Sequence, residues 1–483
     1  MWLAVKTMKG LVKYDKDNAI SLTVALYSAL LTMYLKEEVI GESDEVISDK
    51  EMDSLMGLFG KLQQLQNSDG GFSWYKGMPS SEYITTEVLM HLSRLSAIIE
   101  LPEDLADIME HGFCFVDKEM HRRVRELRKL ESKGIKVGMP SFMMLQHLYN
   151  NALSGRTITR EDRDDYDYLV NLMLRDIHRQ TIYEKAMSAI ILEHVGKKEQ
   201  AKEYVESLYQ YTEMDEARGR SFKTSRATYS WYSYKIPTHV VAMEAIHRIC
   251  PDRRQEIVEM QKWLLNEKRT QTWETPIDSV NAVHALLFGN IDVLHEGIAT
   301  AITIDGKMLE CEAEGKEGHL QTELDKDTQL ISFDKKSKGM SWGAVYANFL
   351  QPLSEVSANG SGMIIKREIL SSKDELHVGD RITIKLTYTC DRNYDMVEVI
   401  DSKAACMEPV NQLSWNDSFK HVAPYDTKTV ISYYGLAEGT YSIETEFWLD
   451  RPGIYEIGLA TIQCAYAPEF RATCPSQKLV VLP

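Results

Sequence analysis

Gln63-Gln64-Leu65-Gln66-Asn67-Ser68-Asp69-Gly70-Gly71-Phe72-Ser73-Trp74, with the run that follows from Glu82 to Leu95, decides how the first part of this chain is read. The glutamines end one helix. Asn67 to Gly71 then make a turn in which two glycines supply positive φ at little cost. Phe72 and Trp74 are expected to fold back as apolar anchors of that turn. A second helix starts near Ser80, with Ile84, Val88, Leu92 and Leu95 at three- and four-residue spacing on one face. Gln66, Asp69, Gly70, Gly71, Phe72 and Trp74 are thus the structural positions of a helical hairpin, and a closed wall of such hairpins makes an α/α toroid.

Outward from that hairpin, helical faces recur at 52–66, 140–153, 164–176, 180–195, 198–211, 237–249, 253–268 and 276–288. A weaker copy of the turn lies at Trp263 to Thr275, where Trp273 takes the aromatic place. Ala19 to Leu35 is uncharged but contains serine, threonine and tyrosine, and is too short and too polar for a membrane span; it reads as a buried toroid helix. After Leu294 the period changes to two. Thr303 to Met308 reads as a hairpin with an Asp305-Gly306 turn, and Ile382, Ile384, Leu386, Tyr388 and Cys390 alternate with polar residues. Further strand-like runs at 342–349, 395–400, 428–434, 440–448 and 454–464 complete a sandwich of about seven strands. The expected organisation is multidomain α plus β: a toroid at 1–294, a small β segment at 295–364 and an antiparallel β-sandwich at 365–483.

The 483 residues carry 72 acidic against 55 basic side chains, a formal net charge of −17. That balance argues against nucleic acid or an anionic membrane as the main partner. Seven cysteines form no Cys-x-x-Cys, so neither a metal nor any other cofactor is expected. Cys464 and Cys474 are the only close cysteine pair in a plausible β region. The chain opens without a basic, then apolar, leader-like stretch.

With both periodicities in hand, the chain resembles the C-terminal region of bacterial α-2-macroglobulins. The residues carrying the resemblance are Gln66 to Gly77; Lys262 to Leu287, with its Trp-Leu-Leu and Ala-x-x-Ala-Leu-Leu elements; and Ala404 to Leu413 with Gly458 to Phe470. Trp342-Gly343-Ala344-Val345-Tyr346 is similar to a strand of the small β domain that flanks the toroid in that family. The resemblance implies an α/α-toroid thioester-type domain followed by a small β domain and a terminal macroglobulin β-sandwich. It further implies protease trapping or inhibition at the cell envelope, whether periplasmic, outer-membrane-anchored or extracellular. Its implied partners are proteases and the macroglobulin domains upstream in a full-length chain.

In the family, a Cys-x-Glu-Gln motif at the start of a toroid helix closes the internal thioester. The sequence contains no Cys-x-Glu-Gln: Cys406-Met407-Glu408-Pro409 ends in proline, and Glu199-Gln200 has no cysteine before it. Aligning the apolar pattern of 18–35 with the family's thioester helix puts Asn18, Ala19, Ile20 and Ser21 at the motif position. A thioester needs a thiol and a glutamine amide at fixed spacing, so the chain resembles the thioester-less members.

Enzyme readings compete with this one. Asp162-Arg163-Asp164-Asp165 matches the Asp-x-Asp-Asp of class II terpene cyclases, which are also toroids; the plainer reading is a Thr159-capped helix start with acids complementing its dipole. A toroid with a β-sandwich is also the plan of polysaccharide lyases, and Tyr229, Trp231, Tyr232, Tyr234 and His239 make an aromatic cluster fit for a sugar cleft. The basic run from His121 to Lys136, interleaved with Glu119, Glu126 and Glu131, reads as an ion-paired helix face. His239, His247 and His284 read as core or rim histidines. No catalytic residue is assigned.

Overall fold

The computed structural model describes residues 7–8, 10–13, 17–35, 49–175, 177–215, 219–222, 235–268, 273, 275–288, 301–309, 322–335, 345, 349–416, 420–465 and 467–483. Two compact units divide the chain, Met1–Trp342 and Gly343–Pro483.

The described residues of the first unit include eleven α-helices with complete bounds: α1 Ala19–Leu35, α2 Asp49–Gln63, α3 Glu82–Ser96, α4 Glu103–Ser132, α5 Phe142–Ser154, α6 Arg163–Leu174, α7 Ile182–His194, α8 Lys198–Tyr209, α9 Lys235–Ile249, α10 Arg254–Asn266 and α11 Pro276–Leu287. Local signals place their starts. The Ser81, Ser141 and Thr275 side chains cap α3, α5 and α11, and Thr181 and Glu184 form a reciprocal capping box on α7. Pro276 occupies the first turn of α11, and Gly155 ends α5 in the left-handed conformation.

The odd-numbered helices are buried nearly all round, whereas the even-numbered ones bury one face. A helix apolar on every side must be enclosed, and a one-sided helix can form the outer wall. The packing follows that rule. α1 lies against α3, α3 against α5, α5 against α7, α7 against α9 and α9 against α11, and α11 returns to α1. The inner ring is closed, as expected of a toroid, and α2, α4, α8 and α10 pack on its outside. A small hairpin, β1 Thr212–Asp215 with β2 Gly219–Phe222, packs on α10. The expected hairpin at 303–308 is present as β3 Ala301–Ile304 and β4 Lys307–Met308, turning on Asp305 at φ +47 and Gly306 at φ +79; β5 Ile331–Asp334 pairs on its other side.

The second unit is an antiparallel β-sandwich. Its strands are β6 Asn359–Ser361, β7 Met363–Leu370, β8 Arg381–Cys390, β9 Tyr394–Ser402, β10 Met407–Pro409, β11 Trp415–Asn416, β12 Lys420–Pro424, β13 Lys428–Leu436, β14 Gly439–Leu449, β15 Gly453–Glu456, β16 Ala460–Cys464, β17 Ala467–Cys474 and β18 Lys478–Val481. One sheet runs β10-β14-β8-β7 and the other β11-β12-β13-β9-β16-β17-β6, with β15 and β18 forming a separate ribbon. Ile382, Ile384, Leu386, Tyr388 and Cys390 point inward as their alternation predicts. The run 454–464 is not one strand. Gly458, at φ +91 and packed where a Cβ would come within 2.6 Å of Ser402 Cβ, breaks it, so β15 pairs with β18 while β16 joins the larger sheet. The run 342–349 lies largely outside the described residues.

Candidate functional site

Two stretches remote in sequence meet in the first unit. The Ala19 N–H, at the first turn of α1, donates to the Trp74 carbonyl at 3.2 Å. Asn18 caps the same helix: its Oδ1 accepts the Ser21 N–H at 2.9 Å and its Nδ2 donates to Ser21 Oγ at 3.0 Å. Asn18 and Ala19 are buried, and Ile20 and Ser21 are half-buried. The start of α1 is therefore pinned by the 66–74 turn, and its own side chains are an amide, a methyl, an aliphatic chain and a hydroxyl.

The turn is built by short polar contacts. Gln66 Nε2 donates to the carbonyls of Gly70 and Ile108, both at 2.9 Å, which ties the turn to α4. Asp69 Oδ1 accepts from the Gly71 N–H at 3.0 Å and from the Ser80 hydroxyl at 2.7 Å. Phe72 is fully buried and its N–H donates to Thr85 Oγ1 at 2.8 Å. Trp74 departs from expectation: it is 43% exposed rather than an anchor. Ser73 takes the interior place beside Phe72, its hydroxyl donating to the Leu65 carbonyl at 3.0 Å, so the indole is left facing outward. Gly70 sits at φ +90, where a Cβ would stand 2.3 Å from the His111 carbonyl oxygen. We expect Gly70→Ala to destabilise the helical unit by at least about 1–2 kcal/mol from backbone strain alone, measured as a lowered thermal midpoint.

The centre of the helical ring holds a polar group the sequence reading did not single out. Arg94 on α3 bonds Asn281 Oδ1 on α11 through Nη1; its Nη2 donates to Tyr149 Oη on α5 at 2.9 Å and lies 3.3 Å from Glu244 Oε2 on α9. The Tyr149 hydroxyl donates to the same Glu244 oxygen, and His284 Nε2 stands 3.3 Å from the other. Burial alone would raise the Glu244 carboxyl, but Arg94, His284 and Arg248 outweigh it and hold it well below the usual carboxylate range. Burial likewise opposes the Arg94 charge and is outweighed by Tyr149, Glu244 and Tyr183. The sequence signal was available: a single arginine between Leu92 and Leu95, and a single glutamate inside the apolar run from Val240 to Ile246.

This geometry bears directly on the enzyme readings. A lyase needs tyrosine, asparagine and arginine together at an open cleft. Tyr149, Asn281 and Arg94 are together, but they are 0%, 1% and 2% exposed, and burial pushes the Tyr149 hydroxyl far from ionisation. Among the described residues all three are enclosed rather than placed at an open cleft. Of the aromatic cluster proposed for a sugar cleft, Tyr229, Trp231, Tyr232 and Tyr234 lie outside the described residues. His239 is buried, with Nε2 3.0 Å from the Met260 carbonyl and its ring 4.2 Å from the Trp263 ring centre. A cyclase needs its acids at the wall of a deep apolar cavity. Asp162 to Asp165 instead open the outer helix α6, where the Asp162 N–H bonds Thr159 Oγ1 and the carboxylates face α4: His121 lies 2.8 Å from Asp162 and 2.6 Å from Asp165, and Arg128 lies 2.7 Å from Asp164. The acidic run and the basic helix are each other's partners. A recess of about 10 Å³, lined by Met243, Glu244, His247, Ile257, His284, Ala285 and Phe288, has room for about one water molecule and is far smaller than a small-molecule site. Among the described residues no group of three or more His, Cys, Asp or Glu side chains is disposed to hold a metal.

Residues 359–469 match the family model described as Bacterial Alpha-2-macroglobulin MG10 domain. An α-2-macroglobulin homologue of Nostoc sp. is 21% identical over 473 residues, covering 87% of this chain and 23% of the relative. The chain is similar to the C-terminal region of bacterial α-2-macroglobulins. It spans about a quarter of the length of the curated relative it matches. Among solved structures, native Escherichia coli α-2-macroglobulin from domain MG7 to the C-terminus aligns over 99% of this chain and 75% of that one, at 15% identity and a TM-score of 0.39. Trypsin-activated E. coli α-2-macroglobulin aligns over 97% of this chain and 32% of that one, at 14% identity and a TM-score of 0.44.

The stretch that matches the MG10 model contains Ala404 to Leu413 and all but the last residue of Gly458 to Phe470, the stretches that carry the strongest resemblance. Cys406 of Cys406-Met407-Glu408-Pro409 is buried at the entry to β10 of this domain. Cys464 pairs in register with Ala467 and Cys474 with Ala460, at opposite ends of the β16-β17 ladder. Four residues of strand separate the two cysteines by roughly 13 Å, beyond the reach of a disulfide. The two sheets of the sandwich are joined by a buried ion pair, Arg367 on β7 to Asp401 on β9, at 2.8 Å from Nε, with Nη1 donating to the Gly458 carbonyl at 2.8 Å. Among the described residues no helix is long and apolar enough to cross a membrane.

Proposed function

We propose that this chain is the non-enzymatic C-terminal part of a bacterial α-2-macroglobulin-type protein that takes part in protease trapping at the cell envelope without covalent capture. The observation that carries the proposal is the start of α1. Asn18, Ala19, Ile20 and Ser21 stand where the family motif would close its ring, and the position is occupied by a helix cap, with Asn18 bonded to Ser21 and Ala19 tied to the Trp74 carbonyl. An asparagine amide is not a thiol, and no glutamine stands three residues on to acylate it.

On this reading the division of labour is a toroid at 1–294 acting as scaffold, a β segment at 295–364, and the macroglobulin sandwich from 365 onward. Upstream macroglobulin domains of the full-length chain and an attacking protease are the partners. The buried polar group supports a scaffold role, because it joins α3, α5, α9 and α11 through hydrogen bonds and an ion pair. The test is incubation with methylamine followed by intact-mass analysis and thiol titration. The expected result is an unchanged mass and no newly reactive cysteine. A methylamine adduct accompanied by a released thiol would overturn the loss of the thioester.

A further inference from the structure

We infer that the centre of the helical ring binds ordered water molecules, held by His91, Tyr27, Asn281 and His284. The observation is a set of sealed polar atoms with no hydrogen-bond partner among the described protein groups: both ring nitrogens of His91, Tyr27 Oη, Ser28 Oγ, Asn281 Nδ2, His284 Nδ1 and Arg94 Nε. His91 and Tyr27 are both 0% exposed.

The residues that carry these atoms sit on adjoining helices of the inner ring. Tyr27 and Ser28 lie on α1, His91 and Arg94 on α3 one turn apart, and Asn281 and His284 on α11 three residues apart; α11, α1 and α3 are consecutive in the ring. Asn281 already receives Arg94 Nη1, so the Asn281 amide and the Arg94 guanidinium lie side by side, with Nδ2 and Nε left to be satisfied. The Arg94 charge is felt at both Tyr27 and His91. Leaving this many buried groups unpaired would remove a large share of a domain's net stability, whereas immobilising a water costs little.

The chemistry of the set selects the ligand. A neutral imidazole offers one donor and one acceptor, the asparagine Nδ2 and arginine Nε are donors, and a tyrosine hydroxyl serves as either. An anion would face the Glu244 carboxylate and a cation the Arg94 guanidinium, so the occupant is uncharged and both donor and acceptor. Water meets that requirement, and buried waters usually make about three such bonds.

The test is a high-resolution crystal structure of the full chain, paired with water-oxygen and deuteron magnetic relaxation dispersion on the wild type and on His91→Leu/Tyr27→Phe. Solvent density within hydrogen-bond reach of His91 and Tyr27, and at least one fewer long-lived water in the double variant, are the expected results. A dry centre with equal counts in both proteins overturns the inference. If the double variant does not fold, wild-type solvent density at His91 decides alone: present supports the site, absent rejects it.

Discussion

Replacing Arg94 with methionine lowers the stability of the helical unit by about 3–5 kcal/mol, the range expected when one partner of a buried ion pair is removed. The cost comes from what stays behind. Glu244 remains 2% exposed, and the attraction that outweighs its burial is gone; Tyr149 and Asn281 also lose their shared donor. Arg94, Tyr149, Glu244 and Asn281 come from α3, α5, α9 and α11, so the loss is felt around much of the ring. Removing the charge on both sides should be far milder than the sum of the singles, since an uncharged pair needs less compensation. Urea unfolding followed by far-ultraviolet circular dichroism on Arg94→Met, Glu244→Gln and the double variant measures this. Additive losses would show that the two side chains do not act as a pair.

Acid should weaken the helical unit well before ordinary carboxylates titrate. Burial, then the nearby Arg94 charge, pushes His91 down to about 3; burial, with the Lys235 charge, does the same for His239 despite its bond to the Met260 carbonyl. The unfolded chain takes up protons at these histidines below about pH 6.5, whereas the fold resists until about pH 3. The unfolded state thus binds more protons across that window, and stability falls as the pH drops. Each fully shifted histidine contributes about 1.4 kcal/mol per pH unit once below 6.5. His284, also lowered by burial, acts in the same direction. Glu87, which burial raises, acts oppositely, but only in and above the carboxylate range. Thermal midpoints measured from pH 7 to 4.5 should fall steeply, and His91→Leu should flatten the profile. A flat wild-type profile would mean that these imidazoles are not held neutral.

How much of this was legible beforehand differs from residue to residue. Gln66, Asp69, Gly70 and Phe72 were readable because a turn is a local object: its φ requirements and its side-chain-to-backbone bonds lie within a few residues of chain. Trp74 was not, because whether an aromatic is an anchor depends on which neighbour reaches the interior first, and Ser73 does. The Asp162 to Asp165 run and the His121 to Arg128 face each stand out in sequence, yet their meeting across α4 and α6 has no mark in the spacing of either. Gly458 hid a strand break, since an alternating pattern continues through a residue with no side chain.

The sequence by itself determined the two grammars of the chain, helical to about 294 and strand-like beyond, and the absence of any Cys-x-Glu-Gln, because periodicity and composition are properties of neighbouring residues. Only the tertiary structure decided that α11 closes on α1, that Ala19 rests on the Trp74 carbonyl, and that Arg94 meets Glu244 at the centre of the ring. Each joins elements many residues apart through packing, and packing follows from shape and burial in three dimensions, which no local pattern encodes.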